Sequence, residues 1–170
     1  MIQVKAHRRR AAITAAMARA FTTSSLVAED VDVAFPLIHA ASPDVGLATW
    51  RDFARGFVGL PSPYPAGAIG LRNEAGYLCG ILTYRIDRDL RHGMVLSIDI
   101  FAALDVTGEV AAMRALLQAA EAKANELRCG VARIQIERSE GTQAQRLLAS
   151  GYRQRASVFC KELAPPAVPT

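Results

Sequence analysis

At 170 residues the chain is long enough to bury a single-domain core without disulfides or metals, and its balance of apolar and charged residues is that of a soluble globular protein. Its longest apolar runs fall far short of the roughly 20 residues that a membrane span requires. The net charge of +4 resides in residues 1–20, where Lys5, Arg8, Arg9, Arg10 and Arg19 have no acidic counterpart; the rest of the chain is close to neutral and lacks the basic face of a nucleic-acid binder.

Residues 1–24 read as a basic N-terminal segment, helical in pattern. The run Ala11–Ala20 after Arg8-Arg9-Arg10 is too weakly hydrophobic for a targeting segment. It suits an amphipathic helix or an over-extended translation start. The folded body is expected over residues 25–163, followed by a Pro-rich tail over 164–170. Leu26 and Val27 suggest a first strand. Asp30 is placed to cap a helix with Val31, Ala34, Phe35 and Ile38 on its apolar side, and Pro36 should kink or shorten that helix. Leu47, Trp50, Phe53, Ala54 and Phe57 mark a second helix, ended by Gly56 and Gly59.

After the Pro61–Pro65 loop, Ala68–Arg72 and Tyr77–Ile86 form a hairpin around Asn73-Glu74-Ala75-Gly76. The charged stretch Asp87–His92 reads as a second turn, leading into Met94–Phe101, the most strand-like segment. The period then changes. Val110, Met113, Leu117, Ala120, Ala124 and Leu127 recur at helical spacing, with Thr107 as N-cap and Cys129-Gly130 as the stop. Val131–Glu137 is a strand, residues 142–150 a short helix closing on Gly151, and Ser157–Leu163 a last strand. The strand–helix–strand unit from Met94 to Glu137 implies a right-handed parallel crossover beside an antiparallel meander. The fold class is therefore α/β (α+β): a mixed, mostly antiparallel central sheet flanked by helices, in the order β-α-α-β-β-β-α-β-α-β.

Cys79, Cys129 and Cys160 are odd in number and far apart, with no CxxC pair and no Cys/His cluster. They indicate neither a disulfide framework nor a zinc site, and they suit a reducing cytoplasm. Cys79 and Cys160 lie in apolar strand contexts and are expected to pack inside.

The element order, the long helix after Phe101 and the closing segment Leu147-Leu148-Ala149-Ser150-Gly151-Tyr152 resemble the GCN5-related N-acetyltransferase family over about residues 25–163. The resemblance implies an acyl-CoA N-acyltransferase-like fold, with acetyl-CoA as co-substrate, no metal and a homodimer as the common assembly. It implies that backbone groups at Ile100, Phe101 and Ala102 hold the pantetheine arm. The pyrophosphate would rest on the following helix start, at Val106, Thr107, Gly108, Glu109, Val110, Ala111 and Ala112, where unpaired N–H groups and the helix dipole favour an anion. The family's phosphate signature is Gln or Arg, two residues, Gly, one residue, then Gly or Ala. Here the segment is Asp105-Val106-Thr107-Gly108-Glu109-Val110, with one glycine and no basic first residue. Where many members carry a proton-donating tyrosine in the short helix, this sequence has Leu147; the asparagine common nearby corresponds to Glu140.

By analogy with the family's use of this strand, Asp99 is the candidate general base, a carboxylate within an otherwise apolar strand, against a solvent-facing or loop-capping role. Strict alternation would put it on one face with Val95, Ser97 and Phe101, and Leu96, Ile98 and Ile100 on the other. Tyr84 and Trp50 are candidates for substrate contact, against cross-strand packing for the first and core packing for the second. Tyr152 is a packing aromatic that could also serve as a displaced hydroxyl donor. His92 reads as an exposed loop residue and His39 as structural, while Arg114 and Arg146 could reach phosphates. The function the resemblance implies is an acetyl-CoA-dependent N-acetyltransferase acting on an amine of a small molecule or protein. The alternative is a degenerate relative that binds acyl-CoA without catalysis.

Overall fold

The structure is a computed structural model and describes residues 21–60, 65–104, 111–136, 141–156, 158 and 160. In chain order the elements are β1 (Phe21–Ser25), α1 (Asp30–Ala41), α2 (Leu47–Arg55), β2 (Ala66–Asn73), β3 (Leu78–Asp89), β4 (Gly93–Ala103), α3 (Ala111–Glu126), β5 (Val131–Ile134) and α4 (Thr142–Ala149). This is the expected order through its ninth element. Of the expected closing strand, Val158 and Cys160 have no regular structure and the remaining residues lie outside the described ones, as do residues 1–20.

The first strand lies at Phe21–Ser25 rather than at Leu26-Val27, so four residues assigned to the N-terminal segment belong to the sheet. It runs antiparallel to β2, from Phe21 opposite Asn73 to Ser25 opposite Ile69. Its Thr-Thr-Ser-Ser run is compatible with an exposed edge, and Leu26 just beyond it turns into the core. The sheet order is β1-β2-β3-β4-β5, antiparallel throughout except for the parallel β4–β5 pair.

Successive strand residues face opposite sides, and the two sides hold different helices. On one side Leu26, Ala68, Ile81 and Ala102 pack with Ala34, Leu37 and Ile38 of α1 and Trp50 and Ala54 of α2. On the other, Gly80 lies under Leu116 of α3, whose apolar stripe also buries Met113, Leu117, Ala120 and Ala124. Gly80 is there because a Cβ would stand 2.9 Å from Leu116 Cδ1 and 3.2 Å from Leu71 Cβ.

Three local expectations change. Asp30 is not the cap of α1 but its first residue. Its buried carboxylate accepts from Val27 N–H at 3.5 Å and pairs with Arg72 on β2, tying the helix start to the sheet. Pro36 does not shorten α1, because its ring sits on the exposed side, where water can serve the carbonyl it leaves unbonded. Helix α3 ends at Glu126, before Cys129-Gly130. Arg128 adopts φ 55° while Arg128 N–H bonds to Asn125 C=O and Cys129 N–H to Ala124 C=O, a Schellman closure with arginine where glycine is usual.

The chain divides after Glu137. Within the second part, α4 ends in another Schellman closure: Gly151 at φ 92° bonds to Leu148 C=O, and Tyr152 N–H bonds to Leu147 C=O at 3.1 Å. Leu147 is buried, as a leucine on the apolar stripe of a short helix should be. Cys79 is buried with its thiol on Leu71 C=O, whereas Cys160 is exposed, because it lies in no strand. Among the described residues, no helix is long and apolar enough to cross a membrane.

Candidate active site

The chemistry-bearing part of the sheet is the second half of β4. Its parallel ladder with β5 runs from Val95 opposite Val131 to Ile98 opposite Ile134, followed by one bond from Gln135 N–H to Ile98 C=O at 3.0 Å. Strand β4 continues beside β3 to Ala103, so for Asp99–Ala103 the two strands share no ladder among the described residues. Among the described residues, the pairing of β4 with β5 thus ends at Ile98, one residue before Asp99.

A β-bulge sits at the same point. Thr83 faces Ile100 and Tyr84 faces Ile98, leaving Asp99 as the extra residue of β4. The displaced Ile100 N–H donates to Thr83 Oγ1 at 3.2 Å, which also satisfies that buried hydroxyl. The bulge breaks the expected alternation. Ile100 joins Asp99 on the side of α1 and α2, where it packs with Ile81 and Ala102, and Phe101 moves to the side of Leu96 and Ile98, opposite Leu82.

Asp99 is not an isolated carboxylate in an apolar strand. It is ion-paired with Arg85, which also holds Asp87 through Nε at 3.2 Å. The hydrogen bond to Asp99 raises the Arg85 pKa above its ordinary value, outweighing the opposing effect of burial. Across β4 in the same row, Arg133 on β5 pairs with Asp89, whose carboxylate is held below the usual range first by Arg91 N–H (2.9 Å) and then by that guanidinium and the His92 N–H. These charged residues escaped the sequence reading because Asp87–His92 looked like a turn. Strand β3 continues through Asp89, and the chain reverses only at Leu90–His92 with Gly93 at φ 69°. The available signal was the period-two run Thr83, Arg85, Asp87, Asp89.

The structure does not bring the other predicted residues to Asp99. Tyr84 is on the opposite face, its hydroxyl over Gly67, where a Cβ would stand 2.7 Å away. Burial is the main influence raising its pKa, with the nearby Lys123 opposing it. There it lines a cleft of about 100 Å³ with Leu26, Phe57, Leu60 and the Lys123–Glu126 pair of α3. Trp50 is 1% exposed and its indole N–H donates to Val31 C=O at 2.7 Å, joining α2 to α1 and leaving no ring surface for a substrate. His92 is exposed in its turn, and His39 stacks on Phe35 in the last turn of α1, ring centroids 5.7 Å apart.

Of the expected cofactor positions, Ile100, Phe101 and Ala102 lie in β4 beyond the end of its described ladder with β5, with Phe101 and Ala102 buried. Ala111 and Ala112 open helix α3, the second buried and the first half-buried. Val106, Thr107, Gly108, Glu109 and Val110 lie outside the described residues. Arg114 is exposed on the first turn of α3, and Arg146 is half-buried in α4.

No protein-family model matches the sequence, and neither does any curated protein. Solved structures do match. The chain is similar to the aminoglycoside N-acetyltransferase AAC(6')-Iy in complex with CoA, with a TM-score of 0.71 and 10% identity over 84% of this chain and 94% of that one. It is similar to AAC(6')-Ih from Acinetobacter baumannii, with a TM-score of 0.68 and 12% identity over 85% and 99% of the two chains. The ribosomal-protein-alanine N-acetyltransferase from Brucella melitensis biovar Abortus 2308 matches with a TM-score of 0.64 and 18% identity, over 85% and 100%. What these share with the chain, at such identities, is the fold, and it extends over nearly the whole of each. The chain has the fold of the GCN5-related N-acetyltransferases.

Proposed function

We propose that the protein transfers an acetyl group from acetyl-CoA directly to an amine of a small molecule or protein. The observation that carries this reading is the coincidence, at Asp99, of a bulge, a carboxylate and the end of the described β4–β5 ladder. A strand segment whose described pairing is one-sided can offer an extended ligand its edge, and the small residues Ala102 and Ala103 at the end of β4 and Ala111 and Ala112 at the start of α3 suit a close approach. The residues present thus fit an acyl-CoA. Backbone groups of Ile100, Phe101 and Ala102 would hold its pantetheine arm, and the segment Val106–Ala112 its phosphates through N–H groups. Acetyl-CoA supplies an activated acyl carbon, so that a C–N bond forms as the C–S bond breaks and CoA leaves.

In this mechanism Asp99 is the catalytic base. An alkyl amine is protonated at neutral pH, and it attacks only after losing that proton to an acceptor within hydrogen-bond reach. The strand positions donor and acceptor, which supplies much of the rate without any covalent intermediate. Acceptor selectivity falls to the α1–α2 helices and to residues 42–65, the part of such a scaffold free to vary. The reading includes a cytoplasmic location, supported by three free cysteines, and a homodimer, supported by the exposed edge Thr22–Ser25 of β1.

A second reading has one observation in its favour. Leu147 is a buried leucine that can donate no proton, and with Asp105 and Glu109 in the phosphate segment it suits a module that binds an acyl-CoA without turning it over. Two measurements decide. Acetyl-CoA at about 100 times its Kd should add about 2.7 kcal/mol, a rise in Tm of roughly 5–10 °C for a domain of this size. Thiol release with a panel of amines should then show turnover, and Asp99→Asn should lower kcat by roughly 10²–10⁴. A Tm shift without thiol release selects the binding module, and no shift at millimolar acetyl-CoA removes both readings.

A further inference from the structure

Arg85, Ser97 and Arg133 form one row across β3, β4 and β5, since Ser97 pairs with Arg85 on one side and with Arg133 on the other. Cross-strand partners share a face, and the Arg85–Asp99 ion pair puts Asp99 on that face too. Among the described residues, three carboxylates, Asp87, Asp89 and Asp99, thus meet two guanidiniums on this face, a surplus of one negative charge. In the centre of the row Ser97 is only 4% exposed, and its hydroxyl has no hydrogen-bond partner among the described residues. A buried hydroxyl without a partner costs free energy, so its persistence beside an acidic cluster needs a reason.

We infer that Arg85 occupies the place of the acceptor's cationic amine, and that the acceptor is a protonated alkyl amine which displaces it. The inference rests on the acetyltransferase reading of Asp99. The Arg85 side chain starts opposite Ser97 and ends on Asp99, so it lies along the approach to both. It is half exposed, and ion pairs of such side chains are weak enough for a competing cation to break. It has somewhere to go, because its Nε already rests on Asp87. When it swings to Asp87, an ammonium on Asp99 gains the carboxylate and, one strand repeat away, the Ser97 oxygen as a second acceptor. An uncharged amine gains less from that exchange, so the site selects the charged form and leaves Asp99 in contact with the proton to be removed. Arg85 is a positioning residue in this scheme, and Asp87 is its alternative anchor.

The test uses the full chain with cadaverine as the cationic probe and aniline as the uncharged one. Removing the competing cation by Arg85→Gln should lower KM for cadaverine by about two- to fivefold. KM for acetyl-CoA should stay unchanged, as should KM for aniline. Asp87→Asn, which takes away the alternative anchor, should raise KM for cadaverine. A rise or no change for Arg85→Gln overturns the inference while leaving the transferase reading intact. A second readout is independent of turnover: the ¹⁵N-resolved Arg85 Nε–H resonance should shift on titration with cadaverine and not with aniline. A shift without turnover keeps the site and removes the transferase reading. Turnover without a shift removes the displacement.

Discussion

Thr83→Val tests whether the bulge that presents Asp99 is held by one side-chain hydroxyl. The substitution exchanges the Thr83 hydroxyl for a methyl of nearly equal size, at a position 1% exposed, and removes the 3.2 Å bond from Ile100 N–H. A buried N–H without a partner costs about 1–3 kcal/mol. Ile100 is only half-buried, so the lower part of that range applies, about 1–2 kcal/mol. Each kcal/mol lowers Tm by about 2–4 °C in a domain of this length, giving a fall of roughly 2–8 °C. Thr83→Ser is the control: it keeps the hydroxyl and loses one methyl, about 1 kcal/mol of burial. Thermal unfolding measures both, and amide hydrogen exchange separates them. The Ile100 amide should exchange about five- to thirtyfold faster in Thr83→Val, following the free energy of the lost bond, and keep its protection in Thr83→Ser. If Thr83→Val matches the wild type in Tm and in exchange at Ile100, water serves that amide and the hydroxyl does not hold the bulge.

Gly80→Ala should destabilise by about 1–3 kcal/mol through overpacking, since the new Cβ meets Leu116 Cδ1 at 2.9 Å and Ala102 O at 3.3 Å; a neutral result in urea unfolding would mean that α3 can lift off the sheet. Arg128→Gly should stabilise by about 0.5–1 kcal/mol, because a left-handed conformation suits glycine, and a fall in Tm would instead assign the arginine side chain a supporting contact. Asp89 is held below its ordinary pKa, chiefly by Arg91 N–H, so its contribution is full above about pH 4 and is lost as the pH falls further. Asp89→Asn should therefore lower Tm at neutral pH and flatten its decline in acid, and parallel curves for the two proteins would exclude the linkage.

Periodicity made most of the scaffold legible. The apolar spacing of α3 and the hairpin turn at Asn73–Gly76 stand where the sequence puts them, because each is a local pattern that one face of the core enforces. What escaped was set by longer-range pairing. Alternation along β4 predicts Phe101 beside Asp99, but a bulge is decided by the register against β3, which the single strand does not encode. Likewise the charged residues Asp87 and Asp89 resembled a turn, because Asp87 pairs with Arg85 on its own strand and Asp89 with Arg133 across the sheet, a long-range contact that the local sequence does not show. Asp99 could be selected as a polar residue out of place; its partner Arg85 could not, since an arginine near the end of a strand is unremarkable until the register is known. Trp50 and Tyr84 show the reverse case, aromatics whose size suggested substrate contact and whose surroundings proved to be the core and the opposite face.

The short β4–β5 ladder also bears on how the sheet is made. Strands β2, β3 and β4 are joined by tight reversals, so their contacts close small loops and can form early. Strand β5 returns to β4 only after the whole of α3 and rewards that longer closure with four residue pairs. We expect this seam to close last in folding and to open first in unfolding, with substitutions in Val131–Ile134 speeding unfolding more than they slow folding. Asp99, one residue past the end of the described β4–β5 ladder, then stands where the earliest part of the sheet meets its latest.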